Sequence, residues 1–238
     1  MNITTHIIFI SMVVILPMDS LISVRHQAGM AQRPPINRLH TYLSGSLVLW
    51  LSLCVVIGNW IYQGGHLVEL GIEAANSRAL LSTLLLIIFA ALVIRLLAKK
   101  IQHSEKFRHG YIGNDNYLRE MLPRTRTERN TFYLLSVSAG VCEELIYRGF
   151  VFAYLLHYIP MPWVVVLSSV LFGLAHSYQG LKGIPLTGAV GLLLALLYLY
   201  TGSIWAPIVL HAAIDIGSGY LSWLSLHEEQ ADAKALPT

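Results

Sequence analysis

The stretch Ser136-Val-Ser-Ala-Gly-Val-Cys-Glu-Glu-Leu-Ile-Tyr-Arg-Gly-Phe150 sets Glu143, Glu144 and Arg148 among small and apolar residues. Its flanks decide what kind of helix this is. The chain has 238 residues, 55% hydrophobic and only 12% charged, against about 25% charged in a typical soluble domain. Sixteen Lys and Arg with thirteen Asp and Glu cannot cover a globular surface of this size. Mean hydropathy is +0.59. These values exclude a soluble two-domain reading from length alone and point to an all-α, polytopic membrane helical bundle.

Crossing about 30 Å of hydrocarbon takes about 20 largely apolar residues in a helix. The apolar runs predict about seven transmembrane helices, at 3–24, 41–62, 79–98, 131–158, 163–178, 184–200 and 204–226. Pro17 and Asp19 interrupt the first. No Lys or Arg precedes it and no small-residue cleavage site follows, so it reads as a retained span rather than a signal peptide. The division that results is 1–100, three N-terminal spans; 101–130, an amphipathic segment; 131–226, a helical core; and 227–238, a polar tail. Phe107, Tyr111, Tyr117, Leu118, Met121 and Leu122 give 101–130 the pattern of a helix lying on the inner leaflet.

Arg25, Arg33 and Arg38 lie between spans one and two, and eight Lys and Arg lie from Lys99 to Arg129. The positive-inside rule then predicts an integral protein of a bacterial inner membrane, N-terminus outside and C-terminus cytoplasmic. The bilayer is its expected surroundings, and basic residues beside spans, without interleaved aromatics, exclude nucleic acid. Cys54 and Cys142 sit in apolar runs and match neither a disulfide framework nor a zinc signature.

An ionisable residue inside a span is costly and marks a functional site by default. Besides Glu143, Glu144 and Arg148, the spans hold His176 at the end of Phe172-Gly-Leu-Ala-His176, and His211 and Asp215 in His211-Ala-Ala-Ile-Asp215. At ~1.5 Å per residue, Glu143 lies ~18 Å from the start of its span and His176 ~10 Å from the inner face. His211 and Asp215 lie ~10 and ~17 Å from the outer face on the same rise. The three sets share one layer, at mid-membrane and somewhat toward the cytoplasm.

Spacing says how each helix presents them. Glu144 and Arg148 are i, i+4 and pair; Glu143 points ~100° away from Glu144 to a different neighbour. His211 and Asp215 share a face, as do Phe172 and His176. A purely structural reading makes Glu144–Arg148 a helix-locking ion pair and the histidines interhelical hydrogen bonders. For every such residue at one depth to be glue is the weaker alternative. A buried carboxylate with two histidines and an aspartate suits hydrolysis, the carboxylate taking a proton from water and the histidines sharing it or holding an oxyanion. The same donors, Glu143, His176, His211 and Asp215, also suit a divalent metal such as Zn²⁺ with an open position for water. Residue types alone leave metal-free and metal-assisted hydrolysis both open. No His-Glu-x-x-His, no Gly-x-Ser-Gly beside a histidine and no pair of intramembrane aspartates is present.

Glu143-Glu-Leu-Ile-Tyr-Arg148, Phe172-Gly-Leu-Ala-His176 and His211-Ala-Ala-Ile-Asp215 together resemble the three motifs of the CPBP family, the CAAX prenyl endopeptidases and bacteriocin-processing, Abi-like membrane proteins. Each motif is short, but the ordered triple within spans is specific; it covers about residues 130–220. The resemblance implies an intramembrane endopeptidase whose cavity opens to the cytoplasm, acting on a membrane-associated protein or peptide. It implies that Glu143 activates water with His176, that His211 and Asp215 hold the oxyanion, and that Glu144, Arg148 and Phe172 support the site. Relatives carry Asn where this chain has Asp215, a departure that favours a neutral carboxyl or a metal there. Two other classes compete: a non-catalytic immunity or scaffold protein of the same fold, and an ion or proton transporter. Against the transporter stands the absence of inverted-repeat symmetry in the sequence.

Overall fold

The computed structural model describes residues 2–15, 18, 22, 36–74, 76–112 and 116–235. These form a helical bundle without strands among the described residues. Helix α1 is Ile3–Ile10 and runs into a π-turn, Ser11–Ile15. Of the predicted first span, residues 16, 17, 19–21, 23 and 24, with Pro17 and Asp19, lie outside the described residues, as do Arg25 and Arg33 of the loop that follows. The remaining helices are α2 (Arg38–Tyr62), α3 (Ser77–His103), α4 (Glu105–Ile112), α5 (Asn116–Met121) and α6 (Arg126–Glu144). Helix α6 continues through a π-helical segment, Leu145–Val151, into α7 (Phe152–Leu155). Then follow α8 (Met161–Ala175), α9 (Gly183–Thr201) and α10 (Trp205–Ala235).

Three of these, α2, α3 and α9, are long and apolar enough to cross a bilayer. The other predicted spans fold as helices but differ from that pattern for physical reasons. Helix α8 has 15 residues and ends at Ala175. The α6–α7 rod and α10 carry the polar residues of the candidate site, which lower their mean hydropathy. Helix α10 also runs to Ala235, so the described part of the polar tail continues that helix.

Side-chain caps set the helix starts. Asn37, Asn76 and Thr125 each accept a backbone N–H from the first turn of α2, α3 and α6, groups that have no intrahelical partner. At α6 the cap is a reciprocal box: Glu128 N–H donates to Thr125 Oγ1 at 3.1 Å, while Glu128 Oε2 accepts from the N–H groups of Arg124 and Thr125 at 2.8 and 2.9 Å. Arg38, at the start of α2, stands 3.6 Å from the same carboxylate.

Helix α6 packs on α2 and α10, α8 on α9, and α10 also on α3. Two glycines permit the close crossings. A Cβ on Gly140 of α6 would lie 2.9 Å from Ala212 Cβ and 3.0 Å from both Ala212 N and Ile208 O on α10. A Cβ on Gly173 of α8 would lie 2.6 Å from Ile184 O of α9. Close approach at small residues is the usual route to tight helix packing where burial against lipid gives no net drive. The main core lies around the π-segment, every residue of which is buried, with Val56, Trp60, Val164, Phe172 and Ile208.

At the end bearing the basic segment, polar groups tie the helices together. Arg38 Nε donates to Glu120 O at 2.6 Å, and Tyr42 Oη donates to Met121 O. Arg108, 4% exposed, donates to Ile101 O at 2.9 Å and pairs with Asp232; Arg119 pairs with Glu229 at 2.8 Å. Phe107 and Tyr111 of α4 pack on Ile101, Leu221 and Leu224. These two aromatics of the amphipathic segment therefore cover α3 and α10. Tyr117 and Leu118 have side chains outside the described set.

Two outcomes are expected. Gly140→Ala forces α6 from α10, and overpacking of this kind costs about 1–3 kcal/mol; the midpoint of thermal unfolding in detergent falls accordingly. The second concerns pH. Burial opposes the charge on Glu128, but the Arg124 and Thr125 N–H groups and the Arg38 guanidinium hold its carboxyl below the usual carboxylate range. A lowered folded-state pKa gives stability that is present above the unfolded value and lost as pH falls through the folded one. Acid titration of the unfolding midpoint shows that loss in the wild type, and Glu128→Gln removes its share of the pH dependence.

Candidate active site

The site is held by one buried carboxylate. Glu144 Oε1 accepts from Arg148 Nη1 at 2.8 Å along its own helix and from His211 Nδ1 on α10 at 2.8 Å. Glu144 and Arg148 are fully buried, and the His211 side chain is 5% exposed. Arg148 reaches on to α9, donating from Nη2 to Gly191 O at 2.6 Å. One guanidinium and one carboxylate thus join three helices. The i, i+4 pairing of Glu144 with Arg148 follows from their spacing. The pairing of Glu144 with His211 requires the α6–α10 crossing at Gly140, which no local pattern displays. The π-helical segment also carries Arg148; such widened turns occur often at functional sites.

Glu143 faces the other way, as its ~100° offset from Glu144 predicts. Its Oε2 lies 3.6 Å from His176 Nε2, too far for a direct hydrogen bond. This Oε2 is buried and makes no hydrogen bond among the described residues. The two side chains are 17% and 13% exposed. His176 stands where α8 stops. Helix-end carbonyls lack intrahelical partners, and His176 Nδ1 serves one of them, Phe172 O, at 2.8 Å. A carbonyl only accepts, so Nδ1 carries a proton, and Nε2 is the ring nitrogen turned toward Glu143.

Phe172 lies at the centre of the group. Its ring centroid is 4.7 Å from that of His176, 5.7 Å from that of His211, and 4.7 Å from the Arg148 guanidinium carbon. The contact with Arg148 adds a cation–π attraction to the packing. Asp215 is the most open member, 35% exposed, with Oδ2 3.6 Å from His211 Nε2. Exposure therefore rises from the Glu144–Arg148 pair through His211 and the Glu143–His176 pair to Asp215.

Two cavities meet at Glu143 and His176. The larger, about 760 Å³, runs past His211, Asp215 and Ser218 to Thr41, Ser44, Phe132 and Ser136, the end that bears the basic segment. The smaller, about 180 Å³, lies among Met12, Ser52, Ile146 and Ala175. Tyr178 lines both, and the motifs do not include it.

Among the described residues no three His, Cys, Asp or Glu side chains gather closely enough to hold a metal ion; the Glu144 bond to His211 Nδ1 leaves His211 Nε2 free.

Residues 127–217 match the family model described as type II CAAX prenyl endopeptidase Rce1-like. All three motif segments, from Glu143 to Asp215, lie inside that stretch. A protein of Bacillus subtilis (strain 168) named "Putative membrane peptidase YdiL" is 36% identical over 80 residues, which is 34% of this chain and 32% of that one. The chain thus spans about a third of the length of the curated relative it matches. No solved structure matches.

Breaking the buried pair should be costly. Arg148→Met leaves the buried Glu144 carboxylate with His211 but without its guanidinium partner, and removing one member of a buried pair costs about 3–5 kcal/mol. Arg148→Met combined with Glu144→Gln removes that charge and recovers part of the loss. Unfolding midpoints of the two variants in detergent measure the difference.

Proposed function

From the Rce1-like segment at 127–217, we propose that this chain is an intramembrane endopeptidase that hydrolyses a peptide bond of a membrane-associated protein or peptide. The observation that carries the reading is the pair of acceptors, Glu143 Oε2 and His176 Nε2, facing each other at 3.6 Å. Two acceptors at that separation suit a water that donates a proton to each. The match to the family model and the likeness to a protein named as a membrane peptidase support the same reading. Prenylated CAAX tails and propeptides or sorting tails are the substrate classes it covers. The organisation follows the same reading: seven passes, basic loops in the cytoplasm of a bacterial inner membrane, and the larger cavity open to that side.

The chemistry follows from the donors and acceptors present. Glu143 takes a proton from the water as the water oxygen bonds to the scissile carbonyl carbon. The carbonyl π pair moves onto its oxygen. His211 receives that oxyanion: with Nδ1–H on Glu144 and its ring protonated, it donates from Nε2, beside the counter-charge of Asp215. Collapse of the tetrahedral adduct re-forms the carbonyl and breaks the C–N bond, and the departing amine takes the proton held by Glu143. His176 keeps the water aligned through Nε2 while Phe172 O holds its Nδ1–H. Each of these steps is carried by the chain's own side chains, with Glu144 holding His211 and Arg148 in place. Phe172 packs between the His176 ring and the Arg148 guanidinium.

The test uses the purified full chain in detergent and a panel of farnesylated CAAX peptides and unprenylated propeptides, read by mass spectrometry. Wild type cleaves at least one member, Glu143→Gln abolishes that cleavage, and a chelator leaves it intact. Cleavage that persists in Glu143→Gln would rule out the base. Loss with chelator and return with Zn²⁺ would restore the metal-assisted reading. A panel left intact, with a cellular phenotype indifferent to Glu143→Gln, would favour the scaffold class.

A further inference from the structure

We propose that Tyr178 is a catalytic hydrogen-bond donor, its phenol O–H completing the oxyanion site opposite His211; the inference rests on the endopeptidase reading above. Tyr178 lies in the one-turn 3-10 segment Ser177–Gln179, directly after the end of α8. It lines both cavities together with Glu143 and His176. Its ring centroid is 5.8 Å from that of His176, the planes inclined by 34°. No other phenol of the chain lines the larger cavity among the described residues.

A chain of long, solvent-exposed contacts from α9 occupies the acceptor side of this hydroxyl. Thr187 Oγ1 stands 3.4 Å from Gln179 Oε1, and the threonine hydroxyl donates to that amide oxygen. The Gln179 amide therefore turns its NH₂ toward Tyr178, with Nε2 3.4 Å from Oη. An amide N–H only donates, so the phenol oxygen is the acceptor in this contact. Its own proton is left to donate elsewhere, into the cavity that Glu143, His176, His211 and Asp215 also line.

The reaction has a use for that proton. Asp215 stands beside His211 in this cavity, and an ionised carboxylate accepts without donating. In the proposed reaction His211 supplies one donor to the developing oxyanion, and a second would hold it more firmly. A phenol is neutral at working pH and donates without leaving a charge behind. Placed in a partly enclosed cavity, such a fixed donor counts for more than it would in water. The smaller cavity meets the larger along the same wall, so a peptide crossing from one to the other passes Glu143, His176 and Tyr178 together.

The experiment compares the wild type with Tyr178→Phe, Tyr178→Leu and Gln179→Glu, using the panel peptide that the wild type cleaves fastest. Tyr178→Phe keeps the ring against His176 and removes only the O–H. Loss of one oxyanion donor lowers kcat about 10²–10³-fold, so this variant falls by that factor with KM nearly unchanged. Gln179→Glu places an acceptor where the amide donated, so it draws the phenol proton away and lowers kcat as well. A phosphinate analogue of the same peptide, which mimics the tetrahedral adduct, binds Tyr178→Phe about 10²-fold more weakly, while binding of a matched amide to a Glu143→Gln background is unaffected by the tyrosine change. If Tyr178→Phe keeps wild-type kcat and only Tyr178→Leu fails, the ring merely packs on His176 and the donor role is overturned. Wild type that cleaves no peptide and binds no phosphinate removes the endopeptidase reading itself, and this inference with it.

Discussion

The ion pair between Glu144 and Arg148 is the constraint on which the rest of the arrangement depends. Both groups are fully buried, at 2.8 Å, in a bundle that excludes water around them. Desolvating two charges is expensive, and their mutual attraction offsets it only when the remaining donors and acceptors are also used. The structure meets much of that demand with partners on other helices: His211 on α10 for the carboxylate, Gly191 O on α9 and the Phe172 ring on α8 for the guanidinium. Those partners fix where the four helices sit relative to one another. The positions of His211 and His176, and hence the spacing across the cavity, follow from a pair that itself never meets the cavity.

That division of labour between neighbours in sequence is a consequence of helix geometry. Glu143 and Glu144 differ by one residue and so by ~100° of rotation. One is committed to a dry network that holds its charge; the other faces a wet wall with a histidine across from it. Consecutive glutamates on one face would repel and share the same environment. On adjacent faces they take opposite tasks, and Phe172 stands as the partition, in contact with Arg148 on one side and His176 on the other.

Much of this was legible in the sequence, and the limit is instructive. The low charged fraction identifies the all-helical bundle, and the i, i+4 spacing gives the Glu144–Arg148 pair and the contact of Phe172 with His176. What spacing cannot show is a partner on another helix. His211 is four residues from Asp215, so sequence pairs those two, yet its shorter bond, 2.8 Å, goes to Glu144 across the Gly140 crossing. The end of α8 was equally hidden. The apolar run continues to residue 178, but the helix stops at Ala175, and His176 satisfies the carbonyl of Phe172 there. That stop fixes the tautomer of His176. It also releases Tyr178 from the helix into the cavity wall, which is why a motif ending at His176 gives no sign of it.

The gradient of exposure across these residues argues for a reaction at a boundary rather than in a sealed chamber. A hydrolase in a membrane needs water at one point and must keep it from the helix-locking charges a few Å away. Arg148 and Glu144 at 0%, His211 at 5%, His176 at 13%, Glu143 at 17% and Asp215 at 35% trace that transition along a single path. The residues that must not change charge lie at the dry end, where desolvation and mutual pairing hold them as an ion pair. Under the proposed endopeptidase reading, the residues that exchange protons lie along the larger cavity, toward the end bearing the basic segment. On that reading, moving Glu143 to the position of Glu144 would bury the proposed base beside Arg148 and fix its charge. Moving Glu144 outward would loosen His211. The order of the two glutamates in the chain, together with the helix rotation that separates them, lets one segment supply both the helix-joining carboxylate and the cavity-facing one.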